Sequence, residues 1–163
     1  MNSMELQYAE IPVQAESFRE EIRDFLAREM PIVPPVVQSE NWMSYDADFS
    51  RKLGESRLIG LTMPVELGGR GAGAFARYVV SEELLAAGAP VSAHWIADRQ
   101  SAPLLLKFGT PEQQARYIPG ICRGELFGCI GMSEPDAGSD LASIRTRAVR
   151  DGRKWRINGA KVW

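Results

Sequence analysis

The hydrophobic pattern of the chain changes once, near Gly124. Upstream of this point, apolar residues recur at three- and four-residue spacing, as in helices that bury one face. Downstream, short segments of strand character are separated by Asp-Gly and Asn-Gly turns, a pattern typical of β-hairpins. The sequence therefore predicts an α+β chain. A helical domain covers residues 1–124, and the start of a β domain covers residues 125–163.

Five helices are expected in the first domain. They cover residues 15–30, 47–56, 74–87, 93–108 and 110–117. The residues predicted for the buried face of the first helix are Phe18, Ile22, Phe25, Leu26 and Met30. In the third helix, Tyr78, Ser81, Leu84 and Leu85 share the face expected to be buried. The fifth helix begins with a capping box formed by Thr110 and Gln113, and it should end near Tyr117 because Pro119 cannot continue the helical hydrogen bonds.

Four strands are expected in the second domain. They cover residues 126–132, 143–150, 154–157 and 160–163. Asp151-Gly152 and Asn158-Gly159 are the predicted hairpin turns. The last predicted strand is still open at Trp163, so we expect an incomplete sheet.

Composition narrows the functional classes. The net charge is -2 and the sequence pI is near 5.5, with no basic cluster, so nucleic acid is not an expected partner. No apolar run is long enough for a membrane span, and the first ten residues lack the pattern of a secretory signal. We therefore expect a cytoplasmic protein, or a mitochondrial-matrix protein if the source is eukaryotic. Two cysteines and one histidine predict neither a disulfide framework nor a metal site.

The segment with the most unusual composition is Gly131–Asp140, which reads Gly-Met-Ser-Glu-Pro-Asp-Ala-Gly-Ser-Asp. We call it the signature loop. Gly138 allows a conformation barred to larger residues and a close backbone approach to a ligand. Successive amides beside Ser139 could form an anion-binding nest for a phosphate or pyrophosphate. Composition alone favours the simpler interpretation, a connecting loop between two strands.

Four other features have simple structural interpretations. The glycines of residues 69–74 approximate a dinucleotide fingerprint, but the required strand–helix–strand context is missing. His94 has no evident acidic or metal partner, so we expect it to be packed or exposed. Cys122 and Cys129 are expected to be small core residues. Glu82–Glu83 are expected to lie on a solvated helix face.

The signature loop and the chain that follows it resemble the flavin-binding signature of acyl-CoA dehydrogenases. In that family, a strand ends in Thr/Ser-Glu-Pro-x-Ala-Gly-Ser-Asp, and a hairpin then leads to Asn-Gly-x-Lys-x-Trp. The runs 127–140 and 158–163 match at nearly every fixed position, with Ser133 where threonine is common. Upstream, the glycine-rich loop 61–71 and the segment 108–120 also fit, so the likeness covers the chain from about Val13 onward.

The resemblance implies a helical N-terminal domain, a middle β-barrel domain that is incomplete here, and bound FAD. It implies contacts to the flavin ring around Met132–Ser133 and contacts to the pyrophosphate near Gly138. The predicted cofactor-binding residues are Ile130, Met132, Ser133, Gly138, Ser139 and Trp163. Ser139 is also the predicted substrate-binding residue, at the CoA entrance. Taken alone, Trp163 would be a core or cross-strand aromatic.

The resemblance also implies a reaction, the α,β-dehydrogenation of an acyl-CoA thioester. The catalytic base of the family is a glutamate of the C-terminal helical domain, so no residue of this chain is assigned that role, and Glu134 is interpreted as structural. The expected electron acceptor is an electron-transfer flavoprotein, and the expected assembly is a homodimer or homotetramer. An acyl-CoA oxidase or related flavoenzyme, and a non-catalytic subunit, are the alternatives. The chain alone is expected to be inactive.

Overall fold

A computed structural model describes residues 10–162 of the chain. They form two compact units, the first ending at Gly128 and the second beginning at Cys129. The first unit is helical, and the second contains a two-stranded antiparallel sheet. The predicted fold class, a helical domain followed by an incomplete β domain, is confirmed.

Seven α-helices make up the first unit within the described residues. They are α1 Val13–Glu29, α2 Pro35–Glu40, α3 Ala47–Glu55, α4 Ala74–Ala86, α5 Ser92–Ile96, α6 Ala102–Phe108 and α7 Pro111–Cys122. Three of the predicted helices, 15–30, 47–56 and 74–87, are confirmed to within two residues at each end. The predicted helix 93–108 corresponds to α5 and α6, which are joined without a break by a π-helical turn at Ala97–Ser101.

The main core forms where α1 packs against α4, with α3 alongside. Ile22, Phe25 and Leu26 of α1 are buried as predicted, and the rings of Phe25 and Phe49 meet edge to face at 5.4 Å. The predicted inner face of α4 is wrong in part, because Tyr78 is 53% exposed. The residues that α4 buries are Ala76, Val79, Val80 and Leu84. This face is displaced by one position from the predicted one, and it presents smaller side chains to α1.

Ion pairs join the same two helices. Arg23 Nε donates to Glu83 at 2.8 Å, and Arg19 bridges Glu82 at 2.7 Å and Glu83 at 2.5 Å. The Glu83 side chain is only 13% exposed. The prediction that Glu82–Glu83 form a solvated face is therefore wrong for Glu83, because two arginines on the neighbouring helix cover its carboxylate.

The last helix, α7, begins as predicted. Thr110 and Gln113 form the capping box, with the Gln113 side chain accepting from the Thr110 N–H at 2.8 Å. The predicted end at Tyr117 is wrong, because the helix continues through Pro119 to Cys122. Proline at this position removes only one hydrogen bond, and burial of Ile118 and Ile121 outweighs that loss.

The second unit contains one β-hairpin. Strand β1 spans Arg147–Asp151 and strand β2 spans Lys154–Asn158, paired from Arg147↔Asn158 to Asp151↔Lys154. Gly152 in the predicted turn has a φ of 59°, which glycine adopts without strain. Both strands agree with the prediction, apart from its first residues, 143–146.

Two predicted strands are absent from the described residues. Neither 126–132 nor 160–162 is a strand. A strand requires a ladder of backbone hydrogen bonds. The bond nearest to such a ladder among the described residues runs from the Val162 N–H to the carbonyl of Ser133, just after the first segment, at 3.0 Å. Trp163 lies outside the described residues.

Candidate functional site

The signature loop is closed by a tight turn at its centre. The Glu134 N–H donates to the Ala137 carbonyl at 2.8 Å, and the Ala137 N–H donates back to the Glu134 carbonyl at 3.1 Å. Ser133 directly precedes this turn and Gly138 directly follows it, with Met132 and Ser139 one residue further along the chain. Four of the predicted cofactor-binding residues therefore flank one turn. Ile130 lies just before the loop and is 40% exposed.

The Glu134 side chain fixes the loop to the start of the hairpin. Its carboxylate accepts the N–H groups of Arg145 at 2.7 Å and Thr146 at 2.9 Å, and it also contacts Lys161 Nζ at 3.0 Å. The hydrogen bond from the Arg145 N–H is the largest of several contacts that lower the pKa of Glu134 to about 2. A buried, ionised carboxylate whose bonds all go to neighbouring segments agrees with the interpretation of Glu134 as structural.

Gly138 leaves open space on the second arm of the loop. A Cβ atom placed on Gly138 would meet nothing within 4 Å. Its φ lies outside the left-handed region, so the prediction of a conformation barred to larger residues is wrong. The missing side chain of Gly138 nevertheless leaves room for a ligand to approach the backbone.

The amides after the turn have no acceptor in the part of the chain that the structure describes. The N–H groups of Gly138, Ser139 and Asp140 donate no backbone or side-chain hydrogen bond there. Consecutive N–H groups of this kind can bind a phosphate oxygen or another anion. These three residues are exposed, so their amides are accessible to a ligand that offers acceptor atoms.

A cavity of about 240 Å³ in the second unit is lined in part by the centre of the signature loop, Glu134–Ala137. It is lined by the turn and the start of the hairpin, including Asp136 and Arg145, which lie 3.9 Å apart. None of the predicted cofactor-binding residues line this cavity. The candidate site is therefore the open surface of the signature loop.

The remaining sequence candidates lie outside the signature loop. His94 is buried, with Nδ1 2.8 Å from Ser50 Oγ, and burial lowers its pKa to about 4. Cys122 is buried as predicted, and burial raises the pKa of its thiol to about 11. Cys129 is exposed, so the prediction of a core role for it is wrong. Among the described residues, no strand comes before the glycines of residues 69–74, which lead directly into α4. A dinucleotide fingerprint would need such a strand.

Sequence reasoning missed one buried acid, Asp98. It lies in the π-helical turn, is 8% exposed and accepts the Gly60 N–H at 2.8 Å. Burial raises its pKa. A carboxylate four residues after His94, on the same face of a predicted helix, was the available signal.

The described residues offer neither a cluster of metal-ligating side chains nor a helix that could span a membrane. They contain no group of three or more His, Cys, Asp or Glu side chains arranged to hold a metal ion. None of the helices in this part of the chain has the length and hydropathy needed to cross a membrane.

Comparison with known proteins identifies the family. The sequence profile described as "Acyl-CoA dehydrogenase, N-terminal domain" matches residues 13–125, most of the helical unit. The chain belongs to the acyl-CoA dehydrogenase family. The resemblance stated from the residues alone is thereby confirmed, although the profile ends before the signature loop.

Curated relatives extend the similarity to a larger part of the chain. The chain is 43% identical over 115 residues to acyl-CoA dehydrogenase IpdE1 of Mycobacterium tuberculosis, covering 71% of this chain and 30% of the relative. It is 34% identical over 169 residues to IpdE1 of Mycolicibacterium smegmatis, covering 93% of this chain and 43% of the relative. This chain thus spans less than half the length of either acyl-CoA dehydrogenase.

Solved structures match both units. An acyl-CoA dehydrogenase from Geobacillus kaustophilus aligns with a TM-score of 0.81 and 30% identity, covering 94% of this chain and 40% of that one. The ChsE4–ChsE5 complex from M. tuberculosis aligns at 0.78 and 35% identity, covering 98% and 40%. A glutaryl-CoA dehydrogenase from M. smegmatis in complex with FADH2 aligns at 0.74 and 27% identity, covering 93% and 39%. These three structures share the fold described above.

Proposed function

We propose that this chain is part of an FAD-dependent enzyme that dehydrogenates an acyl-CoA thioester between its α and β carbons. Membership of the acyl-CoA dehydrogenase family supports the substrate class and the reaction type. The observation that carries the cofactor assignment is the signature loop itself. It presents consecutive amides and an open glycine on a turn that Glu134 holds closed.

The loop suits FAD in two places. The amides of Gly138 and Ser139 can donate to pyrophosphate oxygens, and the absent Cβ of Gly138 lets the phosphates come close. On the other arm, the hydroxyl or backbone of Ser133 can hydrogen-bond the flavin ring, with Ile130 and Met132 beside it. Trp163, outside the described residues, is proposed to stack on the ring. One of the solved relatives is a complex with FADH2, which supports the choice of cofactor.

FAD, when bound, would supply the acceptor for the hydride that leaves the β carbon of the substrate. The residues of this chain would position that acceptor and the CoA part of the substrate. Ser139 is proposed to contact the substrate as well as the cofactor, since it is exposed at the end of the loop. The α-proton would pass to a glutamate of the whole enzyme, and no residue of this chain is proposed for that role.

The partners follow from the same proposal. An electron-transfer flavoprotein would reoxidise the reduced cofactor, and the enzyme would act as a cytoplasmic homodimer or homotetramer. The aligned structure of ChsE4 in complex with ChsE5 supports an assembly of more than one chain.

The test uses the protein expressed from its complete gene. FAD binding is measured by flavin fluorescence, and acyl-CoA oxidation is followed with an artificial electron acceptor. We expect saturable FAD binding and formation of enoyl-CoA. Ser139→Ala should weaken binding of FAD or acyl-CoA, because it removes the hydroxyl next to the amide nest.

Ser39→Ala is the matched control, because Ser39 is an exposed serine of the helical unit that bonds only the nearby Val36 carbonyl. It should leave both affinities unchanged. Failure of the unmodified protein to bind FAD would refute the cofactor assignment. Rapid reoxidation of the reduced protein by air would favour an acyl-CoA oxidase instead of a dehydrogenase.

A further inference from the structure

Lys161 occupies an unusual position for a lysine. Its Nζ donates to the Met132 carbonyl at 2.9 Å and lies 3.0 Å from a carboxylate oxygen of Glu134. Its side chain is 29% exposed and that of Glu134 only 7%. Most exposed lysines extend into water and contribute little to stability. Here the ammonium group is fixed by two acceptors on the first arm of the signature loop.

Glu134 connects this lysine to the rest of the unit. Its carboxylate also receives the N–H groups of Arg145 and Thr146, and its backbone closes the turn with Ala137. Three segments therefore meet at one carboxylate: the signature loop, the residues before β1 and the residues after β2. We call this arrangement the Glu134–Lys161 anchor.

The remaining contacts of the loop are few within the described residues. The Val162 N–H bonds the Ser133 carbonyl, and the Ser143 hydroxyl bonds Asp140. Glu134 and Ala137 are the only buried residues of the second unit in this part of the chain. The loop thus has almost no apolar packing, and its conformation depends on polar contacts centred on the anchor.

Resting on the proposed function, we propose that Glu134 and Lys161 are positioning residues for FAD. Their ion pair holds the arm of Met132–Ser133, where the flavin ring would bind, in a fixed relation to the arm of Gly138–Ser139, where the pyrophosphate would bind. The two residues do not touch the cofactor. They maintain the spacing between two groups of contacts that one FAD molecule would make at the same time.

The test compares variants of the protein expressed from its complete gene. Glu134→Gln keeps the shape of the side chain but places an NH₂ group among three donors. Lys161→Met keeps the length of the side chain and removes its charge. Asp151→Asn is the control, because it breaks the exposed Asp151–Arg156 pair of the same hairpin. Each protein is freed of FAD and titrated with FAD, and its thermal midpoint is recorded without cofactor.

We expect FAD to bind about tenfold or more weakly to Glu134→Gln and to Lys161→Met, as for loss of a hydrogen bond to a charged group. The double variant should lose much less than the sum of the two, because both changes break one unit. Lys161→Arg should recover part of the affinity. Flavin absorption in the variants should shift toward that of free FAD, and Asp151→Asn should match the unmodified protein.

The outcomes separate this inference from the proposed function. Absence of FAD binding by the unmodified protein would refute the proposed function. Binding by the unmodified protein together with equal affinity in folded Lys161→Met would overturn the inference alone. The same holds if the thermal midpoint falls while FAD affinity and flavin absorption stay unchanged, since the role would then be only structural. Should Glu134→Gln fail to fold, Lys161→Met decides, because it leaves the carboxylate with both N–H donors.

Discussion

At the scale of single residues, burial decides the charge state of the polar groups in the helical core. His94 is 5% exposed, and its hydrogen-bonded neighbour Ser50 is completely buried. Water cannot solvate an imidazolium there, so the neutral ring is favoured. The ionisation of His94 is therefore coupled to folding.

This coupling predicts a pH dependence of stability. The folded pKa of His94 is about 4, below the ordinary value of 6.5, so the unfolded chain binds the proton more readily between these two values. Stability is complete above the unfolded pKa and is lost as the pH falls toward the folded pKa. Relative to His94→Gln, the protein should lose about 2 kcal/mol of unfolding free energy between pH 7 and pH 5. Urea unfolding at both pH values measures this, and equal losses in the two proteins would contradict it.

Glycine substitutions should distinguish packing from ligand access. Gly60 has a φ of 69°, and a Cβ there would lie 2.4 Å from Cys122 Sγ, whereas a Cβ on Gly138 would meet nothing. We expect Gly60→Ala to destabilise the cofactor-free protein by more than about 1 kcal/mol. Gly138→Ala should change its stability by less than about 0.5 kcal/mol and yet weaken FAD binding. Thermal unfolding and FAD titration test the pair. Unchanged FAD affinity in Gly138→Ala would remove Gly138 from the proposed site.

At the scale of elements, the start of α7 offers a quantitative test. The Thr110 hydroxyl accepts the Gln113 N–H at 3.3 Å, and the Gln113 side chain accepts the Thr110 N–H. Thr110→Ala leaves the Gln113 N–H without its acceptor and should cost about 1 kcal/mol of unfolding free energy. Thr110→Ser keeps the acceptor and should cost much less. Chemical denaturation measures both, and equal losses would mean that the hydroxyl contributes nothing.

The elements also show where sequence patterns are sufficient. The predictions for α1, α3 and α4 succeed because periodicity and local breakers determine an amphipathic helix. The end of α7 was predicted wrongly because tertiary burial of Ile118 and Ile121 offsets the local effect of Pro119. The strand expected at 126–132 depended on a partner, and composition cannot show whether a partner strand is present.

The same limit applies to the candidate site. The resemblance supplied the residues of the signature loop, and the structure shows a tight turn between Ser133 and Gly138. The contact between Glu134 and Lys161 joins residues 27 positions apart, so no local pattern predicts it. Asp98 was missed because a charged residue within a helix is expected to be exposed, and only tertiary packing shows that it is buried.

At the scale of the whole chain, the two units differ in how they are stabilised. The helical unit has two clusters of buried apolar side chains, one between α1, α3 and α4 and one beneath α7. In the hairpin, all residues of both strands are exposed. A two-stranded hairpin without a buried face is marginally stable in water. In the described part of the second unit, the contacts of Glu134 join the signature loop to both ends of the hairpin.

Amide hydrogen exchange of the 163-residue chain tests this difference. Amides in the middle of α1 and α4 should exchange at least about a hundredfold more slowly than those of β1 and β2, because helical opening requires exposure of the core. If the proposed function is right, saturating FAD should slow exchange at residues 138–140 more than in α1, since those amides would acquire acceptors. Equal protection of helices and hairpin without cofactor would mean that the exposed strands are stabilised by contacts beyond those described. Protection of the hairpin that disappears in Glu134→Gln would instead mean that the Glu134–Lys161 anchor supplies it.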